Sequence, residues 1–200
     1  MTAVLEAVAE RLETSDESTI RIPEICEATG VNYGSVYHHF GSREGVIDAA
    51  YEKIFTRLVE EDLELLHGVN LAATSFDQYV AAMAPLIDVM AHGDERRARR
   101  ALRLRVVAVS HTRPHLRALI AQAQAGLTDE LADIVRYGQV RHWLRDDLSA
   151  QSIAVMTLAL IFGRNLEDVS ARPISDAEWS AAMMVIVSDV LHLSAGPESR

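Results

Sequence analysis

Apolar residues recur at intervals of three and four along most of the chain, which is the spacing of one face of an α-helix. Val4, Leu5, Val8 and Leu12 mark the first such face. No segment of four or more residues alternates apolar and polar positions cleanly enough to indicate a strand. The pattern therefore predicts an all-α protein.

Turn and cap residues divide the N-terminal third of the chain into four helices. Pro23 opens a short second helix, because proline is tolerated in a first helical turn. Gly30 supplies the next turn, since a residue without a Cβ adopts a positive φ without strain. Asn32 is expected to cap a third helix over Tyr33–Phe40, and Ser42 a long fourth helix.

Helical patterns continue near 75–92, 95–112, 115–138, 149–168 and 175–193. The last two contain "SIAVMTLALIFG" and "WSAAMMVIVSDVLHL", which are apolar almost all the way round. A helix of this kind must be covered on both sides. In a chain of this size, one side packs on the domain core and the other on a partner subunit, which predicts a homodimer.

Composition narrows the cellular setting. Apolar residues make up 49% of the 200-residue chain, enough for a sizeable core. The single cysteine, Cys26, excludes an internal disulfide and favours a reducing compartment. The N-terminal segment lacks the basic start and apolar run of a signal peptide. Because the most apolar run, 153–163, is shorter than the roughly 20 residues that span a bilayer, we expect a cytoplasmic protein without a membrane partner.

Charge gives a conflicting signal about nucleic acid. The net charge is −10, and residues 1–50 hold nine acidic side chains against three basic ones. Domains that bind nucleic acid usually carry the opposite sign. However, the segment from Tyr33 to Arg43 contains no acidic residue. A local surface of this kind can bind phosphates while distant carboxylates face away.

Two short helices joined by a glycine-containing turn and followed by a long helix form the helix-turn-helix pattern, although many helical proteins contain such turns. The segment "TGVNYGSVYHHFGSREGV" resembles the helix-turn-helix signature of the TetR family of bacterial transcriptional repressors. The residues in register are Ile25, Gly30, Val31, Ser35, Tyr37, His39, Phe40 and Arg43. The resemblance implies an N-terminal three-helix DNA-binding domain over residues 1–46, a connecting helix over 47–66, and a helical-bundle domain for ligand binding and dimerisation over 67–200.

The resemblance also implies roles for individual residues. Tyr33 and Gly34 match positions that face base edges, and Arg43 matches a position that meets a phosphate. Arg21 stands where the family often has a threonine, and could supply a phosphate contact of its own. Hydroxyl, imidazole and guanidinium groups are suitable phosphate donors. The complete predicted DNA surface is Tyr33, Gly34, Ser35, Tyr37, His38, His39, Arg43 and Arg21.

Other interpretations of these residues remain open. Tyr37 could pack between helices instead of contacting DNA. His38 and His39 point to different faces of a helix and could be solvated surface, and as neighbours they cannot form a metal pair. His111 and His115 have the spacing of a zinc pair, but Pro114 lies between them. We expect no metal and no cofactor.

The resulting hypothesis is a repressor that binds double-stranded operator DNA as a homodimer and is released by a small apolar or amphipathic effector. The candidate effector pocket is Phe76, Tyr79, Met83, Met90, Trp143, Met156 and Phe162. The candidate dimer surface is Ile153, Met156, Ala159, Leu160, Met183, Val187 and Leu191. The alternative is a helical module that binds small molecules or proteins and has lost DNA affinity. Because the sequence contains no phosphate loop, nucleophile elbow or metal-ligand cluster, we do not expect an enzyme.

A second charge feature is the segment "DERRARRALRLR", which holds six arginines between Arg96 and Arg105. It could be a solvated helix face, a nucleic-acid patch or a contact between domains. The third possibility has a complementary partner, because the fourth helix ends in the acidic segment "EEDLELL".

Overall fold

The structure, a computed structural model, describes residues 1–68, 72–190 and 192. Within these residues the chain forms nine α-helices and no strand, which confirms the predicted all-α class. A 3₁₀ turn, Glu17–Thr19, follows the first helix, and a π-helical turn, Ile186–Val190, follows the last. The helices are α1 (Thr2–Thr14), α2 (Ile22–Thr29), α3 (Tyr33–Phe40), α4 (Arg43–His67), α5 (Phe76–Ala91), α6 (Asp94–Ser110), α7 (Pro114–Val140), α8 (Ala150–Asp168) and α9 (Asp176–Val185).

These helices form two compact units. The first unit comprises residues 1–60 and 102–123, and the second comprises residues 61–101 and 124–200. α4, α6 and α7 each contribute residues to both units. The first unit therefore contains a segment, 102–123, that lies far along the chain from the N-terminal helices.

The core of the first unit is built on the faces that the apolar spacing predicts. α1 buries Val4, Val8 and Leu12, while α2 buries Ile25 and α3 buries Val36. The segment 102–123 adds further core residues, which are Leu102, Val106, Leu116 and Ile120. Burial of an apolar side chain contributes about 1.5–3 kcal/mol each, so packing rather than helix propensity stabilises these short helices.

Side-chain caps define where the helices of the second unit begin. Ser75 and Ser149 each accept a hydrogen bond from the backbone N–H three residues later, at the starts of α5 and α8. α9 begins with a reciprocal capping box between Ser175 and Glu178. These caps satisfy backbone donors that would otherwise lack a partner. No helix among the described residues combines the length and apolar character needed to cross a bilayer.

Candidate nucleic-acid interface and effector cavity

The turn between α2 and α3 has the geometry that its sequence predicts. Gly30 ends α2 in the left-handed region with a φ of 67°. The Asn32 side chain then accepts a hydrogen bond from the backbone N–H of Ser35 at 3.2 Å, which caps α3. α3 packs through Val36 and exposes its opposite face. The exposed residues at its start and along that face are Tyr33, Gly34, Ser35, His38 and His39.

Tyr33 and Tyr37 form a pair one helical turn apart on α3. Their ring centroids are 4.5 Å apart, with the planes inclined by 44°. Tyr33 is 46% exposed, whereas Tyr37 is partly covered. A hydrogen bond with Tyr33, together with partial burial, raises the pKa of Tyr37 to about 12. The Tyr37 hydroxyl is therefore protonated at neutral pH.

The connection between α3 and α4 brings two backbone segments into close approach. A Cβ added to Gly45 would lie 2.0 Å from the carbonyl oxygen of Phe40, the last residue of α3. Gly45 also donates its N–H to the Ser42 hydroxyl at 3.0 Å, which caps the start of α4. The absence of a side chain at Gly45 therefore lets α3 end directly against α4.

Arg43 holds the 3₁₀ turn of the first unit in place. Its Nη2 donates to the carbonyl oxygen of Glu17 at 2.6 Å and to that of Ile20 at 3.4 Å. Its Nη1 also lies 3.9 Å from carboxylate oxygens of Glu17 and Glu44. In this structure, the guanidinium at the start of α4 is engaged within its own chain.

The Glu17 carboxylate is shared with a second arginine from the α6–α7 junction. Arg113 Nη2 donates to both carboxylate oxygens of Glu17, at 2.7 and 2.8 Å, and Arg113 Nη1 donates to Asp48 at 2.5 Å. The guanidinium also lies 5.6 Å from the ring centroid of Tyr51. Burial opposes its charge, but the hydrogen bonds and negative charges of Glu17 and Asp48 raise the pKa of Arg113. This network fixes segment 102–123 to the N-terminal helices.

Packing of that segment changes the charge of the first unit. Residues 1–60 carry eleven acidic and five basic side chains, which is a net charge of −6. Residues 102–123 add four arginines and no acidic residue, so the unit as folded has a net charge of −2. The argument against DNA binding from the acidic N-terminal residues is therefore weaker for the folded unit than for the sequence.

The second unit encloses an apolar cavity of about 60 Å³, with room for about four water molecules. Among the described residues that line it, none is charged. Two of its polar lining groups are already hydrogen-bonded, since the Tyr79 hydroxyl donates to the carbonyl of Ile134 and the Thr157 hydroxyl to that of Ile153. The lining residues are Leu66, Tyr79, Met83, Leu86, Ile87, Met90, Leu127, Leu131, Ile134, Val135, Leu144, Ile153, Thr157, Leu158, Ile161, Trp179, Met183 and Val187.

Comparison with known proteins identifies a family with a similar helix-turn-helix. The profile of bacterial regulatory proteins of the tetR family matches residues 18–50, which contain α2, α3 and the start of α4. This segment is thus similar to the helix-turn-helix of the TetR family. The matched segment includes every residue of the predicted DNA surface, from Arg21 to Arg43.

The likeness extends beyond the helix-turn-helix. The chain is 22% identical to the HTH-type transcriptional regulator UidR of Escherichia coli K12 over 194 residues, covering 96% of this chain and 93% of that protein. A protein from Saccharomonospora viridis in complex with choline has the same fold, with a TM-score of 0.72, 18% identity and 96% coverage of each chain. A TetR-family regulator from Cytophaga hutchinsonii gives a TM-score of 0.71 at 18% identity, with 96% of this chain and 94% of that one covered. In sequence and in fold, the chain is therefore similar to transcriptional regulators over nearly its whole length.

The predicted effector residues of this protein fall in three places. Tyr79, Met83 and Met90 line the cavity. Phe76 stacks on His192 at 3.9 Å, and Trp143 packs against Tyr79 and Tyr137 at 6.0 Å. The remaining two, Met156 and Phe162, are exposed and do not line it. Sequence reasoning missed most of the lining, because an apolar residue at helical spacing looks the same whether it faces a core or a cavity.

The predicted dimer residues divide between the two sides of α8 and α9. Ile153 and Met183 are buried within their own unit and line the cavity instead of a surface, and Val187 also contributes to the lining. Met156, Ala159 and Leu160 are exposed on α8, whereas Leu191 lies outside the described residues. Further exposed apolar residues continue the same stripe, which we call the α8 stripe: Val155, Met156, Ala159, Leu160, Phe162, Leu166 and Val169. The exposed residues of the prediction stay candidates for a dimer surface.

Carboxylates and carbonyls engage the six arginines of α6. In the second unit, Arg99 pairs with Glu61 and Asp62, and Arg100 donates from Nε and Nη2 to both oxygens of Asp168 at 2.7 Å. In the first unit, Arg103 donates to the carbonyl of Leu58 at 3.0 Å. The other pairings are Arg96 with Asp62, Arg97 with Asp94 and Asp168, and Arg105 with the carbonyl of Leu12. Arg96 and Arg99 thus pair with the acidic end of α4 within the second unit, while the roles of the segment as a nucleic-acid patch or a contact between domains stay predictions.

Proposed function

We propose that this protein is a repressor that binds operator DNA as a homodimer and releases it when a small molecule enters the second unit. The observation that carries the proposal is the exposed face of α3. That face presents hydroxyl and imidazole donors, and α3 contains no acidic residue. In helix-turn-helix proteins, the second helix enters the major groove and phosphate contacts around it position the protein.

The α8 stripe supports the homodimer. Leu166 is 75% exposed and Met156 63% exposed. Contiguous exposed apolar residues on a helix mark an interaction surface in soluble proteins. Because a two-fold axis places the same stripe on both protomers, the stripe can cover itself in an isologous contact.

The cavity supports control by an effector. It is concave and apolar, as small-molecule sites are, and its methionines can adapt to ligands of different shape. A ligand that binds better to one conformation shifts the population toward it. Release follows if that conformation separates the two recognition helices by a distance other than one turn of DNA, about 34–36 Å.

A second function is a helical binding module that has lost DNA affinity. The observation in its favour is the engagement of Arg43, the residue expected on a phosphate, by the carbonyl groups of Glu17 and Ile20. The acidic residues of the N-terminal segment also favour a module without DNA affinity, because they repel phosphates.

Fluorescence anisotropy with a duplex from upstream of the gene separates the two functions. The repressor predicts tighter binding to that duplex than to a scrambled one of equal length, and loss of the preference in Tyr33→Ala. Arg21→Ala should weaken binding to both duplexes, because phosphate contacts carry no sequence information. Arg136→Ala removes an exposed arginine from α7 in the second unit and serves as the charge-matched control. Equal affinity of the wild type for both duplexes would support the binding module instead.

A further inference from the structure

Arg164 is a buried cation whose donors are only partly used. It lies on α8, is 3% exposed and pairs through Nη2 with Asp176 at the start of α9. Its Nε and Nη1 are buried and have no acceptor within the described part of the chain. Buried polar groups of folded proteins almost always have a hydrogen-bond partner. Two unused donors on one buried guanidinium therefore point to an acceptor that the described residues do not supply.

Arg164 does not itself line the apolar cavity, but it contacts a residue that does. It follows Ile161, which lines the cavity, by three residues, and side chains at this spacing share a helix face. Its guanidinium carbon lies 5.1 Å from the ring centroid of Trp179, and Trp179 also lines the cavity. The inner face of α8 thus changes from apolar residues to a buried cation at this end of the cavity.

The chemistry of this arrangement selects among ligands. A guanidinium can only donate hydrogen bonds, so the unused groups need an oxygen acceptor. A cationic ligand would place a like charge near Arg164, whose carboxylate partner Asp176 is already engaged by Nη2, and it would offer no acceptor to Nε and Nη1. A purely apolar ligand would fill the cavity but leave both donors without a partner.

Given the cavity as the effector site of the proposed function, we propose that the effector is an amphipathic molecule with a compact apolar body in the cavity and an oxygen acceptor that binds Arg164. A carboxylate and an uncharged carbonyl share the required chemistry. Asp176 is partly exposed and keeps its place on Nη2, so the effector uses Nε and Nη1. The size of the cavity favours a small body, and Met83, Met90 and Met183 can move to admit a larger one.

Four probes, each with a chain or ring of six carbons, test this assignment by isothermal titration calorimetry on the full chain without DNA. Hexanoate carries a charged acceptor and hexanamide a neutral one, cyclohexane has no polar group, and hexyltrimethylammonium is a cation. We expect the affinity of at least one acceptor probe to exceed that of cyclohexane by a factor of about ten or more, because a hydrogen bond to a charged group contributes this much. The cation should bind more weakly than either acceptor probe. Comparison of hexanoate with hexanamide then shows which acceptor is preferred.

The matched variant replaces the ion pair as a unit, because removal of one partner would leave a buried charge unpaired. In the double variant Arg164→Met, Asp176→Asn, the preference for the acceptor probes should disappear while cyclohexane still binds. Arg136→Met, an exposed arginine on α7, should behave as the wild type. Circular dichroism and the affinity for cyclohexane establish that the double variant is folded.

Three results would overturn the inference: equal binding of acceptor probes and cyclohexane, an acceptor preference that survives in the double variant, or tightest binding of the cation. Failure of all four probes to bind the wild type would also count against it. These outcomes are independent of DNA. Release of the protein from its operator by a cationic ligand would support the proposed function but refute this effector class. A preference for acceptor probes without operator affinity would support the effector class but refute the repressor function.

Discussion

Replacement of Gly45 by alanine tests the close approach of α3 and α4 directly. The added Cβ would lie 2.0 Å from the carbonyl oxygen and 3.1 Å from the carbonyl carbon of Phe40. Since both atoms belong to the backbone, no side-chain rotation relieves the overlap. The end of the recognition helix must move away from α4 by more than an ångström.

The expected magnitude is the difference between two effects. Overpacking of this kind costs about 1–3 kcal/mol and occasionally more, and a backbone obstacle puts Gly45→Ala at the upper end. Against this, alanine in a helix is favoured over glycine by about 1 kcal/mol. We therefore expect Gly45→Ala to lower the free energy of unfolding by about 2 kcal/mol. Operator affinity should fall as well, because α3 is displaced.

Gly126 offers the same substitution without the obstacle. It is exposed within α7, and a Cβ there would meet nothing within 4 Å. Gly126→Ala should raise the free energy of unfolding by about 0.5–1 kcal/mol, through helix propensity alone.

Urea denaturation followed by circular dichroism measures both variants, and the two changes should have opposite signs. A Gly45→Ala variant as stable as the wild type, with unchanged operator affinity, would show that α3 and α4 do not approach as described. A destabilised Gly126→Ala would show instead that helix propensity does not govern this position.

Three further substitutions probe other parts of the structure. Met156→Arg should yield a folded monomer by sedimentation, whereas Ile153→Arg should unfold the chain because Ile153 is buried; a dimeric Met156→Arg would remove the α8 stripe from the interface. Tyr33→Phe should lower the pKa of Tyr37 from about 12 toward 10 in an ultraviolet titration. Because that pKa is raised in the folded state, its contribution to stability is present below pH 10 and is lost as the pH rises toward 12. Arg43→Ala should flatten the slope of log affinity against log salt by roughly 2 in the dimer, at about 0.9 per phosphate; an unchanged slope would mean that Arg43 keeps its backbone partners on DNA.

Local signals in the sequence predicted the helix-turn-helix well. The third helix begins at Tyr33 and ends at Phe40 as predicted, with Asn32 as its cap and Gly30 in the left-handed turn. Caps and glycine turns depend on a few neighbouring residues, so a single sequence suffices to recognise them. The all-α class could also be predicted, because the spacing of apolar residues along a helix is a local signal as well.

Non-local packing could not be predicted in this way. Nothing in the sequence indicates that residues 102–123 pack in the same unit as the N-terminal helices, or that Arg113 bridges Glu17 and Asp48. The cavity was also only partly anticipated. Its lining comes from helices far apart in sequence, and the apolar period of each helix shows which face is buried but not what it faces.

The charge of the first unit shows how local and non-local information combine. Glu17 and Asp48 contribute to the acidity that argued against DNA, yet both are bound by arginine guanidinium groups in the folded unit. A carboxylate paired in this way projects a weak field beyond a Debye length of about 10 Å. The residual charge of the unit is thus too small for strong long-range attraction or repulsion. In the proposed repressor, operator affinity would therefore come from contacts made at the surface of α3. Under this proposal, the geometry of the α2–α3 turn and the position of Gly45 would matter more for DNA recognition than net charge does.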